Sequence, residues 1–312
     1  MLDPRLKARI ETKKAQLDAL RPLPRAALTR LWERITLEWI YNSNAIEGNT
    51  LTLKETRLVL ETGLTIAGKS LREHFEVLNH KEAIDFVEDL ARKGEPITAH
   101  TVRQIHALVL AKIDDAEAGQ YRKLPVRIGG ANHRPPEPWD VPHLMQGFAE
   151  WLATDARLLH PVQRASEAHH RLVYIHPFID GNGRTARLVM NLLLMQDGYP
   201  PTVIRKVDRR SYYSALAKAD AGNLAPLINF VGRAVEHALT VYLEALTPQE
   251  GPPAAEGEYI PLAEAAKGTP YSQEYLSLLA RKGRLEAIKR GRNWVTTRRA
   301  VEAYLRSVGK LS

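Results

Sequence analysis

Apolar residues recur at intervals of three and four along most of this 312-residue chain, and that spacing limits what it can fold into. Leu28, Leu31, Trp32, Ile35, Trp39 and Ile40 mark one face of a helix. The stretch HFEVLNHKEAIDFVEDLARKG repeats the pattern and ends on Gly94, a residue suited to a helix C-cap. ITAHTVRQIHALVLAKI opens a third helix with Thr98 as its N-cap. Further helices are predicted at FAEWLATD, RASEAHHRLVYIHPF and RTARLVMNLLLMQDG. In the body of the chain one stretch differs, YRKLPVRIGGANHRPPEPWDVPHL. There Leu124, Val126 and Ile128 alternate among prolines and glycines, which predicts a short β-hairpin or flap. The fold class expected is mainly α.

Length allows two or three domains and at least one sizeable core. No run of eighteen apolar residues exists to span a membrane, and MLDPRLKARIETKK lacks the apolar stretch of a signal peptide, so neither a membrane nor export is expected. The absence of cysteine excludes disulfides, thiol catalysis and thiolate zinc sites, and fits a reducing cytoplasm.

The formal net charge of +8 is not spread evenly. Residues 259–312 hold 11 Lys and Arg against 4 Glu; out of totals of 44 and 36 this leaves 33 basic and 32 acidic residues in the first 258. A basic tail on a neutral body points to an anionic partner for the tail, nucleic acid first. The segment TPQEGPPAAEGE, Thr247 to Glu258, has the composition of a linker.

The densest polar stretch, HPFIDGNGRTAR, runs from His176 to Arg187 directly after an apolar helical run. Gly-Asn-Gly makes a turn able to aim several backbone N–H groups at one point. A helix follows, so the turn sits where free N–H groups and the macrodipole favour an anion. Arg184 and Arg187 are three apart, on one face of the first turn, where both would grip phosphate oxygens. Asp180 would repel a bare phosphate but suits one carrying Mg²⁺. His176 is placed to take a proton at neutral pH. The set points to a metal-bound polyphosphate beside a base that activates a hydroxyl.

The same twelve residues match, without a mismatch, the Fic-domain signature His-x-Phe-x-Asp/Glu-Gly-Asn-Gly-Arg-x-x-Arg. The resemblance extends over about 135 residues, from PITAHTVRQIHALV to YYSALAKADAGNLAPLINFVG. It implies a helical bundle with a small β-hairpin flap that moves AMP from ATP onto a Ser, Thr or Tyr hydroxyl of a target protein. Doc-related members, which transfer phosphate, alter the loop's glycine and first-arginine positions; GNGR is kept here. By resemblance His176 is the base and Asp180 holds Mg²⁺ between the α- and β-phosphates. Gly181, Asn182 and Gly183 form the anion nest, with Thr185 and Ala186 in the same ATP-binding turn. Arg184 neutralises phosphate charge, Arg187 binds the γ-phosphate, and Phe178 anchors the loop in the core. Ile128, Gly129, Gly130 and Ala131 lie near the nucleotide, in a flap that would align a target segment by strand addition. Tyr212 and Tyr213 match adenosine-contacting positions, one of the two being expected in the core. Asp220 stands where relatives often carry Asn near the ribose.

Upstream, Ser43 and Glu47 are four apart in SNAIEGN, so one helical turn puts both on one face, with Gly48 as its stop. Ser-x-x-x-Glu-Gly is similar to the inhibitory motif of second-class Fic proteins. The resemblance implies that Glu47 pairs with Arg187 and denies it to the γ-phosphate. The tail is read as two helices, a turn at Gly268–Pro270 and a hairpin-like LEAIKRGRNWVTT, closed by a further helix. It resembles excisionase-like and winged helix-turn-helix domains. Ser272, Gln273 and Tyr275 would then face the major groove, and Arg281, Lys282, Arg290 and Arg292 would meet phosphates.

The expected organisation is an N-terminal helical region over 1–95 with its inhibitory helix at 43–48, and a Fic core over 96–235. A helix end and linker over 236–258 and a winged helix-turn-helix over 259–312 follow. The expected partners are a target protein and DNA, with a homodimer left open. Two alternatives to adenylyl transfer stay open: a DNA-binding regulator whose Fic body binds ATP without transfer, and an enzyme that also removes AMP.

Overall fold

A computed structural model describes residues 1–23, 25–246, 259–290 and 293–308. The described chain forms two compact units, Met1–Thr247 and Pro248–Ser312. The first is built from ten α-helices among its described residues: α1 (Pro4–Ala19), α2 (Arg25–Ile46), α3 (Leu53–Thr62), α4 (Leu71–Lys93), α5 (Ala99–Leu110), α6 (Val141–Ala153), α7 (Pro161–Ile175), α8 (Asn182–Gln196), α9 (Arg209–Asp220) and α10 (Ala225–Leu246).

The periodic segments form the helices the spacing predicts, and local chemistry sets their ends. Thr98 caps α5 by accepting from the Thr101 N–H, and Gly94 closes α4 in the left-handed conformation at φ 67°. Ser70 caps α4 in a reciprocal box with Glu73. Leu31, Ile35, Trp39 and Ile40 of α2 are buried, while Trp32 is half-buried and Leu28 lies among the residues whose burial is not described.

Helix α8 is the centre of this unit. Asn182 and every residue from Arg184 to Leu194 are buried, so the helix is enclosed on all sides. Helix α7 packs beside it, as do α4 and α5. Helix α1 lies on α10, where Gly232 lets Leu2 and Leu6 approach closely: a Cβ there would stand 3.0 Å from each.

Over the stretch from Tyr121 to Leu144, expected as a short β-hairpin or flap, no strand forms. Prolines at 125, 135, 136 and 138 remove ladder donors. Instead the buried Arg122 side chain ties the segment together. Its guanidinium donates to the carbonyls of Leu124 and Pro136, one on each limb, which replaces cross-strand pairing.

The second unit contains β1 (Ile260–Pro261), α11 (Leu262–Ala265), α12 (Gln273–Arg281), β2 (Ala287–Arg290), β3 (Asn293–Thr296) and α13 (Arg298–Ser307). Its antiparallel sheet has the order β1-β3-β2, and the β2–β3 hairpin pairs Ala287 with Thr296 and Arg290 with Asn293. Leu262, Leu276, Leu279, Leu285, Val301 and Leu305 form its own core. The linker at Thr247–Glu258 and Arg292 lie outside the described residues. Among the described residues no helix is long and apolar enough to cross a membrane.

Candidate active site

Helix α7 stops because His176 takes the left-handed conformation, φ 50°, an uncommon one for a residue with a Cβ. The turn is held from outside. Arg122, 1% exposed, donates from Nε to the His176 carbonyl at 2.8 Å, and its backbone N–H donates to the Pro177 carbonyl at 2.9 Å. Nδ1 of His176 lies 3.3 Å from the Val173 carbonyl, which assigns the ring proton to Nδ1 and leaves Nε2 with a free lone pair. Burial lowers the His176 pKa below the usual imidazole range, against the Val173 hydrogen bond, with the Arg122 charge adding to the fall. The ring is therefore neutral at pH 7.

The next turn is stapled. Asn182 accepts from the Phe178 N–H at 3.0 Å and donates to the Phe178 carbonyl at 2.8 Å. Phe178 is 1% exposed, and its ring stacks on His106 with centroids 3.6 Å apart and planes 2° from parallel. Gly119 N–H donates to His106 Nδ1, so His106 Nε2 carries the proton it donates to the Asp180 carbonyl at 2.9 Å. Gly181 sits against that ring at φ 73°, and a Cβ there would come within 3.3 Å of the imidazole and of Leu110.

Helix α8 then begins with no side-chain cap. Its first backbone hydrogen bond runs from Thr185 to Gly181, so the N–H groups of Asn182, Gly183 and Arg184 have no partner among the described residues. Behind them Arg184 and Arg187 are each 2% exposed. Arg184 lies 3.5 Å from both Glu76 and Asp180, while its Nε and Nη1 are buried without a hydrogen bond among the described residues. The cluster is an anion cradle with unsatisfied donors.

Arg187 is already engaged. It donates from Nε to Ser43 Oγ at 3.0 Å and from Nη2 to the Ser43 carbonyl at 2.8 Å. Glu47 Oε1 lies 2.8 Å from Nη1, as an ion pair whose N–H bonds are not aligned for a hydrogen bond. Burial favours the neutral form of Arg187, but Glu47 and Tyr212 together outweigh it and hold the pKa above the ordinary arginine value. Ser43 belongs to the last turn of the 22-residue α2, and Glu47 and Gly48 form the turn after it. A Cβ on Gly183 would collide with the Glu47 carboxylate, so the glycine also makes room for this contact.

Asp180 faces three cationic or N–H partners. Its Oδ1 accepts from the Gly181 N–H at 2.6 Å, and its Oδ2 meets Arg72 of α4 and, at 3.5 Å, Arg184. Burial pushes its pKa up, but Arg184, Gly181 and Arg72 together hold it below the usual carboxylate value. Among the described residues no group of three or more His, Asp or Glu is placed to hold a metal. A lone carboxylate at the rim of a phosphate cradle fits Mg²⁺, which takes most of its ligands from phosphate and water.

These elements have known counterparts. The Fic/DOC family profile matches residues 96–194. A Fic domain containing signaling protein from Bacteroides thetaiotaomicron superposes with a TM-score of 0.71 at 30% identity, over 76% of this chain and 96% of that one. The chain belongs to the Fic/DOC family. Fic-1 (residues 134–508) from C. elegans gives a TM-score of 0.70 at 33% identity, over 77% of this chain and 72% of that one. A protein adenylyltransferase Fic from Nematostella vectensis is 42% identical over 248 residues, 79% of this chain and 57% of that protein. The chain spans about half the length of the curated relatives it matches.

Not every predicted residue of the Fic site is equally disposed. Thr185 and Ala186 are buried in the first turn of α8. Ile128 to Ala131 form a turn closed by a 3.2 Å hydrogen bond from Ala131 to Ile128, with Gly129 and Gly130 exposed. Tyr212 is the core member of its pair, 1% exposed and bonded to His169 Nε2 at 2.8 Å; Tyr213 is 36% exposed and lies beside Arg209. Asp220 is held by His170 Nε2 at 3.0 Å. The sequence reading missed Arg122, His106, Arg72 and Glu76, whose roles rest on contacts with residues 54 to 108 positions away. Only the burial-prone pattern around His106, a histidine on an apolar helix face, carried any signal.

Proposed function

We propose that the chain is a protein adenylyltransferase, moving AMP from ATP to a Ser, Thr or Tyr hydroxyl of a target protein. The observation that carries this reading is the uncapped start of α8, with three open N–H groups backed by two buried arginines. Gly181, Asn182 and Gly183 would receive the phosphates, Arg184 would neutralise them, and Arg187 would take the γ-phosphate. Mg²⁺ held at Asp180 would offset charge on the α- and β-phosphates. The target oxygen bonds the α-phosphorus, its proton passes to His176 Nε2, and the α–β P–O bond breaks as pyrophosphate leaves. The neutral His176 ring, its Nδ1 proton fixed on Val173, suits the base role. The extended flap at 121–137, tied by Arg122, would lay out the target segment.

In this reading the Glu47–Arg187 pair is inhibitory, because an arginine held by a carboxylate does not hold the γ-phosphate. The C-terminal unit is proposed to bind DNA as a winged helix-turn-helix. Ser272 caps α12, Gln273 and Tyr275 are exposed on its first turn, and Arg281 and Lys282 are exposed at its end. Arg290 ends β2.

The test is mass spectrometry of Glu47→Gly after incubation with ATP and Mg²⁺, alone and in a lysate. An adenylyl adduct on the chain or on another protein supports transfer. Tight ATP binding with no adduct overturns it in favour of nucleotide sensing.

A further inference from the structure

A side chain of this protein already sits on the carboxylate of Asp180. Oδ1 accepts from the Gly181 N–H, while Oδ2 is the oxygen that faces the neighbouring arginines. Two guanidinium groups face Oδ2, and they differ in their freedom to leave. Arg184 is 2% exposed and enclosed by α8. Arg72 is 54% exposed, projects from the first turn of α4, and makes the closer contact. Its other partner is Glu76, 3.4 Å from Nε.

We infer that Arg72 is a built-in competitor for the divalent cation at Asp180, a second gate on the site separate from Glu47. The inference rests on the reading of Asp180 as the metal carboxylate. A cation at Oδ2 competes with the guanidinium, because the two crowd one oxygen and their charges repel. Arg72 has somewhere to go, since Glu76 holds its Nε and the rest of the side chain faces water.

The place of Arg72 is set by the segment just after Glu47. Thr50 donates from its N–H and its hydroxyl to Glu73 at 2.8 and 2.6 Å, and Asn49 donates to the Glu73 carbonyl and to Glu76 Oε2 at 3.0 and 2.9 Å. These bonds fix the first turn of α4, and with it the root of the Arg72 side chain, against the loop that follows Gly48. A half-exposed ion pair is worth little, so the competition is modest. Removing Arg72 is expected to tighten apparent metal affinity by about two- to fivefold.

The experiment titrates Mn²⁺, followed by its paramagnetic resonance signal, into the full chain saturated with a non-hydrolysable ATP analogue. The unmodified chain is compared with Arg72→Ala, Arg72→Lys and Asp180→Ala, each first shown to keep its thermal midpoint. Tighter Mn²⁺ binding by Arg72→Ala, with Arg72→Lys near the unmodified chain, is the expected result. Should Asp180→Ala weaken Mn²⁺ binding while Arg72→Ala leaves it unchanged or weaker, the competitor alone is overturned. If Mn²⁺ binding does not depend on Asp180 at all, the reading of Asp180 as the metal carboxylate falls, and the competitor with it.

Discussion

Glu47 Oε1 reaches Arg187 Nη1 at 2.8 Å across the backbone of Gly183, where any side chain would obstruct the carboxylate. Arg187 keeps its two bonds to Ser43 when Glu47 is removed, so the arginine stays in place and gains a free N–H edge. Glu47→Gly is therefore expected to raise self-labelling by ATP and Mg²⁺. An ion pair with a one-third-exposed carboxylate is worth on the order of 1 kcal/mol, which corresponds to about a fivefold change in rate. Equal labelling of this variant and the unmodified chain would count against the inhibitory role. His176→Ala in the same background should abolish labelling.

Arg122 bonds the carbonyls of His176, Leu124 and Pro136 from a position that is 1% exposed. Its planar fork reaches three directions at once, which a lysine ammonium on one stem does not reproduce. Arg122→Lys should leave at least one buried carbonyl unpaired and lower unfolding stability by about 1–3 kcal/mol. Labelling by a Glu47→Gly background should fall as well, because the turn that presents His176 loses its brace. A urea midpoint unchanged by the substitution would refute the account.

The helices were legible because helix formation is local: the spacing of apolar residues and the caps at Thr98 and Gly94 act within a turn or two. The loop from His176 to Arg187 was legible for the same reason, since its residues are contiguous. The hairpin at 121–144 was misread because alternation at Leu124, Val126 and Ile128 speaks only to side-chain placement. It says nothing of a buried arginine that takes the carbonyls a ladder would use. Arg72 left no mark in the sequence, and His106 only that of a histidine on an apolar helix face, because each gains its role from Asp180, 108 and 74 residues away. An ordinary charged residue on a helix carries no mark of a distant partner.

The C-terminal unit offers an independent prediction. Arg281 and Lys282 are exposed at the end of α12, and Lys289 is exposed on β2. If the unit binds duplex DNA, the logarithm of the binding constant should fall linearly with the logarithm of salt, by about 0.9 per phosphate contact. Replacing Arg281 and Lys282 together by alanine should reduce that slope by up to about two. Fluorescence anisotropy on the full chain with a labelled duplex measures both. Binding that is absent at low salt, or a slope the double variant does not change, would remove DNA from the account of these residues.

Stability should decline in mild acid, and the sign follows from the buried histidines. Burial holds His106 down to about 4 and His169 to about 3, and it also lowers His80 and His176. In the unfolded chain each returns to about 6.5. Below that pH the unfolded state binds more protons than the folded one, so stability is fully present above about 6.5 and drains as pH falls. His106 loses its contribution between about 6.5 and 4, on the order of 3 kcal/mol for that separation. Glu73, held near 2 by its bonds to Thr50 and Ser70 against burial, acts in the same direction but only at lower pH, between its ordinary value and about 2. Asp197 and Glu88, both raised by burial, work the opposite way but are outnumbered by the buried histidines. Urea midpoints measured at pH 7.5, 6 and 5 should therefore fall in that order. Protonation of His106 would also cost the Gly119 hydrogen bond on Nδ1 and loosen the ring that supports Phe178 and Asp180. Nucleotide affinity should accordingly weaken over the same interval, and a midpoint constant from pH 7.5 to 5 would show that these rings are not held neutral by the fold.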